Sequence, residues 1–165
     1  MLIQIEDTQS DLKIDKEWAS AVVMATLSKE KEPFAEVYLH FVDTDAICDL
    51  HEQYFQDPSI TDCISFPLDE RDVPYRVLGE VFVCPKTGID FVARKGGNPY
   101  REIAHYIIHG LLHLIGHEDL SKSGRAKMRR KERIHLKHLQ ESGLLLVSED
   151  EPPRPLPILC KKFTI

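Results

Sequence analysis

Hydrophobic and polar positions along this chain change period several times, and each change predicts an element. Leu2 to Glu6 alternate weakly and predict a first strand. Asp15 is placed to cap a helix in which Trp18, Ala21, Val22, Ala25 and Leu27 keep helical spacing until Lys29 to Pro33 end it. Phe34 to Val42 alternates cleanly, with Ala35, Val37, Leu39 and Phe41 on one face and Glu36, Tyr38 and His40 on the other, the pattern of a half-buried strand. Asp43 or Thr44 then caps a second helix, apolar at Ile47, Leu50 and Tyr54, that runs into a turn at Asp57-Pro58. Asp62 to Phe66 and Val77 to Cys84 predict two more strands, separated by an acidic, turn-rich loop.

The second half of the chain is helical in pattern. Pro85 to Arg94 predicts a helix that Gly96-Gly97 breaks, and Asn98 followed by Pro99 starts a longer apolar one, Tyr100 to Ile115, that stops at Gly116. A basic helix follows over roughly Gly124 to Glu141 and ends at Gly143. Strands that alternate with helices in this way predict an α+β fold: a small, mixed, four-stranded sheet packed with helices. Residues 1–145 form one domain on this reading. Residues 146–165 form an acidic, proline-rich tail, read as extended or disordered, with Ile158 and Leu159 as the positions able to dock it.

Charge changes the picture where composition alone does not. The 165 residues carry 27 acids and 21 bases, a net charge of −6, which argues against coating nucleic acid or anionic lipid with the whole surface. Between Lys122 and His138, however, eight bases face one acid, Glu132; this stretch carries +7 and leaves −13 on the rest. It is either a solvated helix face or a phosphate-facing surface. The four cysteines contain no CxxC pair, so neither a disulfide scaffold nor a zinc ribbon is expected. The opening residues lack a basic start followed by an apolar stretch, and no apolar run approaches the ~20 residues of a membrane crossing. A reducing cytoplasm and no membrane association are expected.

Candidate chemistry concentrates in the long apolar helix. His105, His109, His113 and His117 follow one another at intervals of four. At ~1.5 Å rise per residue, neighbours in that row are ~6 Å apart along the axis and can converge on one ion, whereas alternate members, ~12 Å apart, cannot. One adjacent pair can bind, with a third ligand from elsewhere. The segment HGLLHLIGHED selects His109 and His113, because Gly116 can end the helix in a left-handed cap and turn a residue a few positions later back toward that face. Asp119 has the reach and is favoured as that ligand, with His117 as the alternative; His105 is expected behind the ligands or in the core. Two imidazoles and a carboxylate with a fourth position open make the ligand set of a catalytic zinc site. Gly110, which costs about 1 kcal/mol in a helix interior, predicts a close approach by a strand or substrate. It also stands where an HExxH metalloprotease keeps its general base, which disfavours that class.

These residues also carry a resemblance. HGLLHLIGHED resembles the HGxLHLxGYDH motif of the YbeY family, small bacterial metalloproteins; Thr61 to Pro67 resembles its TDVLSFP strand, Leu78 to Val81 its LGDI strand, and Leu50 to Tyr54 the end of its preceding helix. The resemblance covers roughly residues 1 to 145. It implies a zinc-dependent, single-strand-specific endoribonuclease of ribosome maturation and quality control, acting in 16S rRNA 3′-end maturation, with ribosomal RNA or ribosomal particles as partners and no small-molecule organic cofactor. One zinc ion would be held by His109, His113 and Asp119, with a metal-bound water in the fourth position. Two departures touch the site: Asp119 stands where the family has a third histidine and His117 where it has tyrosine. The family arginine at the helix end, thought to contact RNA, falls on Phe55 and is not carried over.

Remaining roles are assigned more loosely. Glu118 and Asp62 are candidate general bases, and each is equally readable as a surface acid or turn former. Ser65 is expected beside the metal, where it would position substrate, and Arg129, Arg130 and Arg133 of the basic helix are candidate phosphate contacts. Two other readings stay open: a non-catalytic, zinc-containing ribosome-assembly factor, and a metal-dependent hydrolase of another substrate.

Overall fold

Local chemistry accounts for where most elements begin. The structure is a computed structural model, and it describes residues 1–70 and 72–145. Strand β1 (Leu2–Asp7) leads to helix α1 (Lys16–Glu30), whose first free amides, on Glu17 and Trp18, are taken by the Asp15 carboxylate. Strand β2 (Glu36–Phe41) leads to helix α2 (Thr44–Phe55); of the two candidate caps, Asp43 does the work by accepting from the Ala46 amide at 2.9 Å. Strands β3 (Cys63–Pro67) and β4 (Val77–Val83) follow, then helices α3 (Pro85–Lys95), α4 (Pro99–Leu114) and α5 (Lys122–Glu141). Helix α5 starts two residues before its apolar pattern does. The reason is the Ser121 hydroxyl, which accepts from the Gly124 amide at 2.9 Å and so caps the chain earlier.

The four strands form one mixed sheet in the order β1-β2-β4-β3, in which β1, β2 and β4 are parallel and the edge strand β3 runs antiparallel to β4. The α+β expectation is therefore met. Period-2 alternation sends Val37, Leu39, Phe41, Val81 and Val83 to one face, and there they pack on helices α1 and α4. Ile64 and Phe66 point to the opposite face and share a second, smaller cluster with Ile47 of α2. Helix α4 is the centre of the molecule: it touches β3, β4, α1, α3 and α5. Its residues Ile103, Ile107, Ile108, Leu111 and Leu112 are fully buried, each contributing about 1.5–3 kcal/mol by removal from water.

Gly110 is explained by this packing. A Cβ there would collide with the Val81 methyls, so the glycine lets α4 lie against β4 more closely than any other residue would permit. Of the strand and the substrate, it is the strand that approaches. At the other end of the chain's described part, the Trp18 indole donates to the Leu144 carbonyl at 2.8 Å and ties the segment after α5 to α1. No helix of the described residues is long and apolar enough to cross a membrane. The expectations for residues 146–165, including Ile158 and Leu159, lie outside the described residues.

Candidate metal centre

The half-buried side of α4 carries His105, His109 and His113, one turn apart, while the other residues of the helix from Ile103 to Leu114 are buried. What brings a third donor to them is the way the helix ends. Gly116 takes φ +98°, its amide donates to the His113 carbonyl at 3.0 Å, and the His117 amide reaches back to the Leu112 carbonyl at 3.0 Å. This double closure is the Schellman arrangement, and it needs a residue at ease with positive φ. The chain then doubles back, and Asp119 Oδ2 lies 3.7 Å from both His109 Nε2 and His113 Nε2, which are themselves 3.0 Å apart. Among the described residues, these three form the one group of His, Cys, Asp or Glu side chains whose ligand atoms converge closely enough for a single ion.

Hydrogen bonding fixes which nitrogens face that point. His113 Nδ1 lies 2.9 Å from the His117 carbonyl, which can only accept, so Nδ1 bears the proton and Nε2 keeps its lone pair. His109 Nδ1 lies 2.7 Å from Glu132 Oε1. Burial opposes ionisation of Glu132, but hydrogen bonds from His105 and His109 outweigh it and hold the carboxyl at about 2. It therefore accepts as well, and His109 Nε2 also presents a lone pair. Two lone pairs facing each other at 3.0 Å repel until a cation or shared proton lies between them. Donors ~2.0–2.1 Å from a tetrahedral ion lie roughly 3.3 Å from one another. The observed edges of 3.0 and 3.7 Å bracket that value, and the donor set fits a zinc ion.

The sequence candidates are distributed as follows. The His117 side chain turns away, with Nε2 3.9 Å from Glu30 Oε2, and borders a separate depression with Lys127, Arg130 and Lys131. Its contribution to the centre is its peptide carbonyl. Glu118 does not match the expectation of a proton-transfer group. It is exposed, and its oxygens accept from the Leu120 amide and from the Ser121 amide and hydroxyl at 2.6–3.0 Å, so it serves the start of α5. The hydrogen bonds from Ser121 keep its carboxyl below the usual range. Asp62 accepts from the Cys63 amide and is exposed, as a turn former would be. Ser65 lines the same cleft as the His-His-Asp group. Arg129, Arg130 and Arg133 are all exposed on α5 and share one side of it, since Arg133 is within one turn of both others; Arg130 also borders the depression with Lys127, Lys131 and His117. Lys131 is paired with Glu30 at 2.6 Å.

The cleft, about 380 Å³, is lined by His109, His113 and Asp119, by Thr61, Cys63 and Ser65 of the β3 segment, and by His51 and Phe55 from the end of α2. Glu132 is the residue that sequence reasoning missed. It is the one acid in a basic stretch, and its position four residues after Met128 and four before Leu136 places it on the buried face of α5. A carboxylate there requires a partner. His105, expected behind the ligands, supplies a second one: its Nε2 lies 3.3 Å from Glu132 Oε2.

Comparison with known proteins places this constellation in context. A family profile described as "Endoribonuclease YbeY" matches residues 4–140. A protein of that name from Protochlamydia amoebophila is 41% identical over 147 residues, spanning 88% of this chain and 98% of its own length. One from Chlamydia trachomatis serovar L2 is 35% identical over 87% of this chain and 91% of its own. The solution structure of TM1509 from Thermotoga maritima shares the fold, with a TM-score of 0.61 at 21% identity over 91% of this chain and 99% of that one.

Proposed function

Because the chain belongs to the YbeY endoribonuclease family, we propose that it is a zinc-dependent endoribonuclease of the cytoplasm that cuts single-stranded ribosomal RNA during ribosome maturation. The observation that carries this reading is the convergence of His109, His113 and Asp119 on one point beside an open cleft. One zinc ion held by these three side chains would supply Lewis acidity toward a phosphoryl oxygen and acidity to a water.

The chain's own residues have distinct tasks on this reading. Glu132 and the His117 carbonyl hold the two imidazoles in the tautomer that presents Nε2, and they fix the ring planes. Ser65, which lines the same cleft, positions the phosphate group by hydrogen bonding. Asp119 lowers the net charge of the ligand set by one unit relative to a third histidine, which makes the ion a weaker Lewis acid. The basic face of α5, with Arg129, Arg130 and Arg133, neutralises the phosphates of the strand beyond the cleft. A peptide substrate is disfavoured because Gly110, packed on Val81, leaves no carboxylate at the position from which a metalloprotease base acts.

The test is cleavage of single-stranded ribosomal RNA by zinc-loaded protein freed of contaminating nuclease, beside a His113→Ala variant. Cleavage by the first and not the second is expected. Equal cleavage by both would refute the reading, and cleavage by neither would favour an assembly factor whose metal is structural.

A further inference from the structure

The α2 residues that line the cleft have no task at the metal centre. Phe55 ends α2 and is 54% exposed. Its neighbour Tyr54 is no less exposed, but packs at 4.7 Å between ring centroids on Phe66, which borders the small apolar cluster. Phe55 instead faces the cleft that holds His109, His113 and Asp119. It is not loose there. Its ring sits 5.6 Å from that of His51, and His51 is pinned by its own Nδ1, 2.7 Å from the Ser59 carbonyl. The turn that follows is braced by Asp57, which accepts from the Ser59 amide at 2.9 Å.

Charge sharpens the point. Among the described residues, no lysine or arginine lines this cleft. Among the described residues, a strand entering it meets a centre suited to a phosphate and, beside it, the rings of His51 and Phe55 and small polar groups. A phosphate has no reason to settle on the phenyl ring of Phe55. A base does: every nucleobase offers a flat face to an aromatic ring, and such stacking tolerates any sequence.

We propose that Phe55 is a stacking platform for one base of the single-stranded RNA, a positioning residue that sets which phosphate reaches the metal centre. This rests on the endoribonuclease reading above. Phe55 thus holds the strand by its base rather than by its backbone, at a contact that is insensitive to salt. It also accounts for a preference for single strands, because a base paired within a duplex cannot present its face to the ring.

The experiment measures equilibrium binding of zinc-loaded protein to a cleavage-resistant phosphorothioate single-stranded RNA, and to a set in which one nucleotide at a time lacks its base. Phe55→Ala is expected to weaken binding by ~5- to 150-fold with the zinc content and the salt slope unchanged. Phe55→Trp is expected to retain wild-type affinity, and Phe55→Leu, apolar but without a π face, to behave like the alanine variant. At one position, removing the base should weaken the wild type and leave Phe55→Ala unaffected. Phe55→Arg should bind with a salt slope steeper by about 0.7, one added phosphate contact. Wild-type affinity in Phe55→Ala or in Phe55→Leu, or no base position coupled to residue 55, overturns the proposal while leaving the endoribonuclease reading intact. Failure of the wild type to bind any of these RNAs would remove that reading and this one together.

Discussion

Replacing Glu132 by glutamine removes the charge behind His109 while keeping the size of the side chain. In the native site the carboxylate lies 2.7 Å from His109 Nδ1 and 3.3 Å from His105 Nε2, with only 12% of its side chain exposed. Adding an imidazole's width and a zinc–nitrogen bond of ~2.0 Å to the shorter contact puts it roughly 6–7 Å from a bound dication. At an effective dielectric of ~20, that attraction is about 5 kcal/mol. The amide oxygen of glutamine still accepts from Nδ1, and water relaxes around the altered site, so the net loss is smaller. Partners of this kind are worth about 10- to 100-fold in metal affinity, or ~1.4–2.7 kcal/mol. The zinc dissociation constant, measured at neutral pH by competition with a chromophoric chelator, should rise by that factor, while the circular dichroism of the metal-free protein stays native. Arg129→Gln, a change on the same helix that touches neither histidine, should leave the constant unaltered. If Glu132→Gln binds zinc as tightly as the wild type, the carboxylate does not tune the centre and the argument from its burial is refuted.

Other outcomes follow from the same structure. Gly110→Ala should destabilise: overpacking against Val81 costs ~1–3 kcal/mol against the ~1 kcal/mol that alanine adds to a helix, and a higher urea midpoint would contradict the close packing of α4 on β4. Asp119→His should hydrolyse RNA faster at equal zinc occupancy, because a neutral third ligand leaves the ion more acidic; slower hydrolysis would count against that charge argument. Replacing Arg129, Arg130 and Arg133 together by glutamine should weaken RNA binding without releasing zinc and flatten the salt dependence by about 0.7 per lost phosphate contact; unchanged affinity at low salt would return α5 to the role of a solvated helix. In metal-free protein Glu132 is held at about 2 against the ordinary 4.5. The folded value is the lower, so the stabilisation is complete above the ordinary value and is lost as pH falls through it toward 2. Urea midpoints of the wild type and Glu132→Gln that stay parallel across that window would refute the linkage.

Local patterns in the chain were sufficient for most of what depends on neighbours a few residues apart, the Ser121 cap of α5 being the exception. The elements, their capping residues Asp15 and Asn98, the four-residue spacing of His109 and His113 and the stop at Gly116 are all short-range, and helix and turn energetics act at that range. Pairing across the fold is another matter. Nothing in β3 or β4 alone says that β3 takes the antiparallel edge position, because strand order depends on contacts distant in sequence. The third donor was open between Asp119 and His117 because the direction of a chain after a left-handed cap depends on successive torsions and on what anchors the next helix, here Ser121 and Glu118. Glu132 reaches His109 from 23 positions away only because α5 packs on α4, and Phe55 faces the metal group only because the end of α2 and strand β3 share one cleft. The sequence by itself determined which side chains could bind a metal; the tertiary structure decided which of them meet, since a ligand set is a property of distances in space and its periodicity along a helix supplies only two of its members.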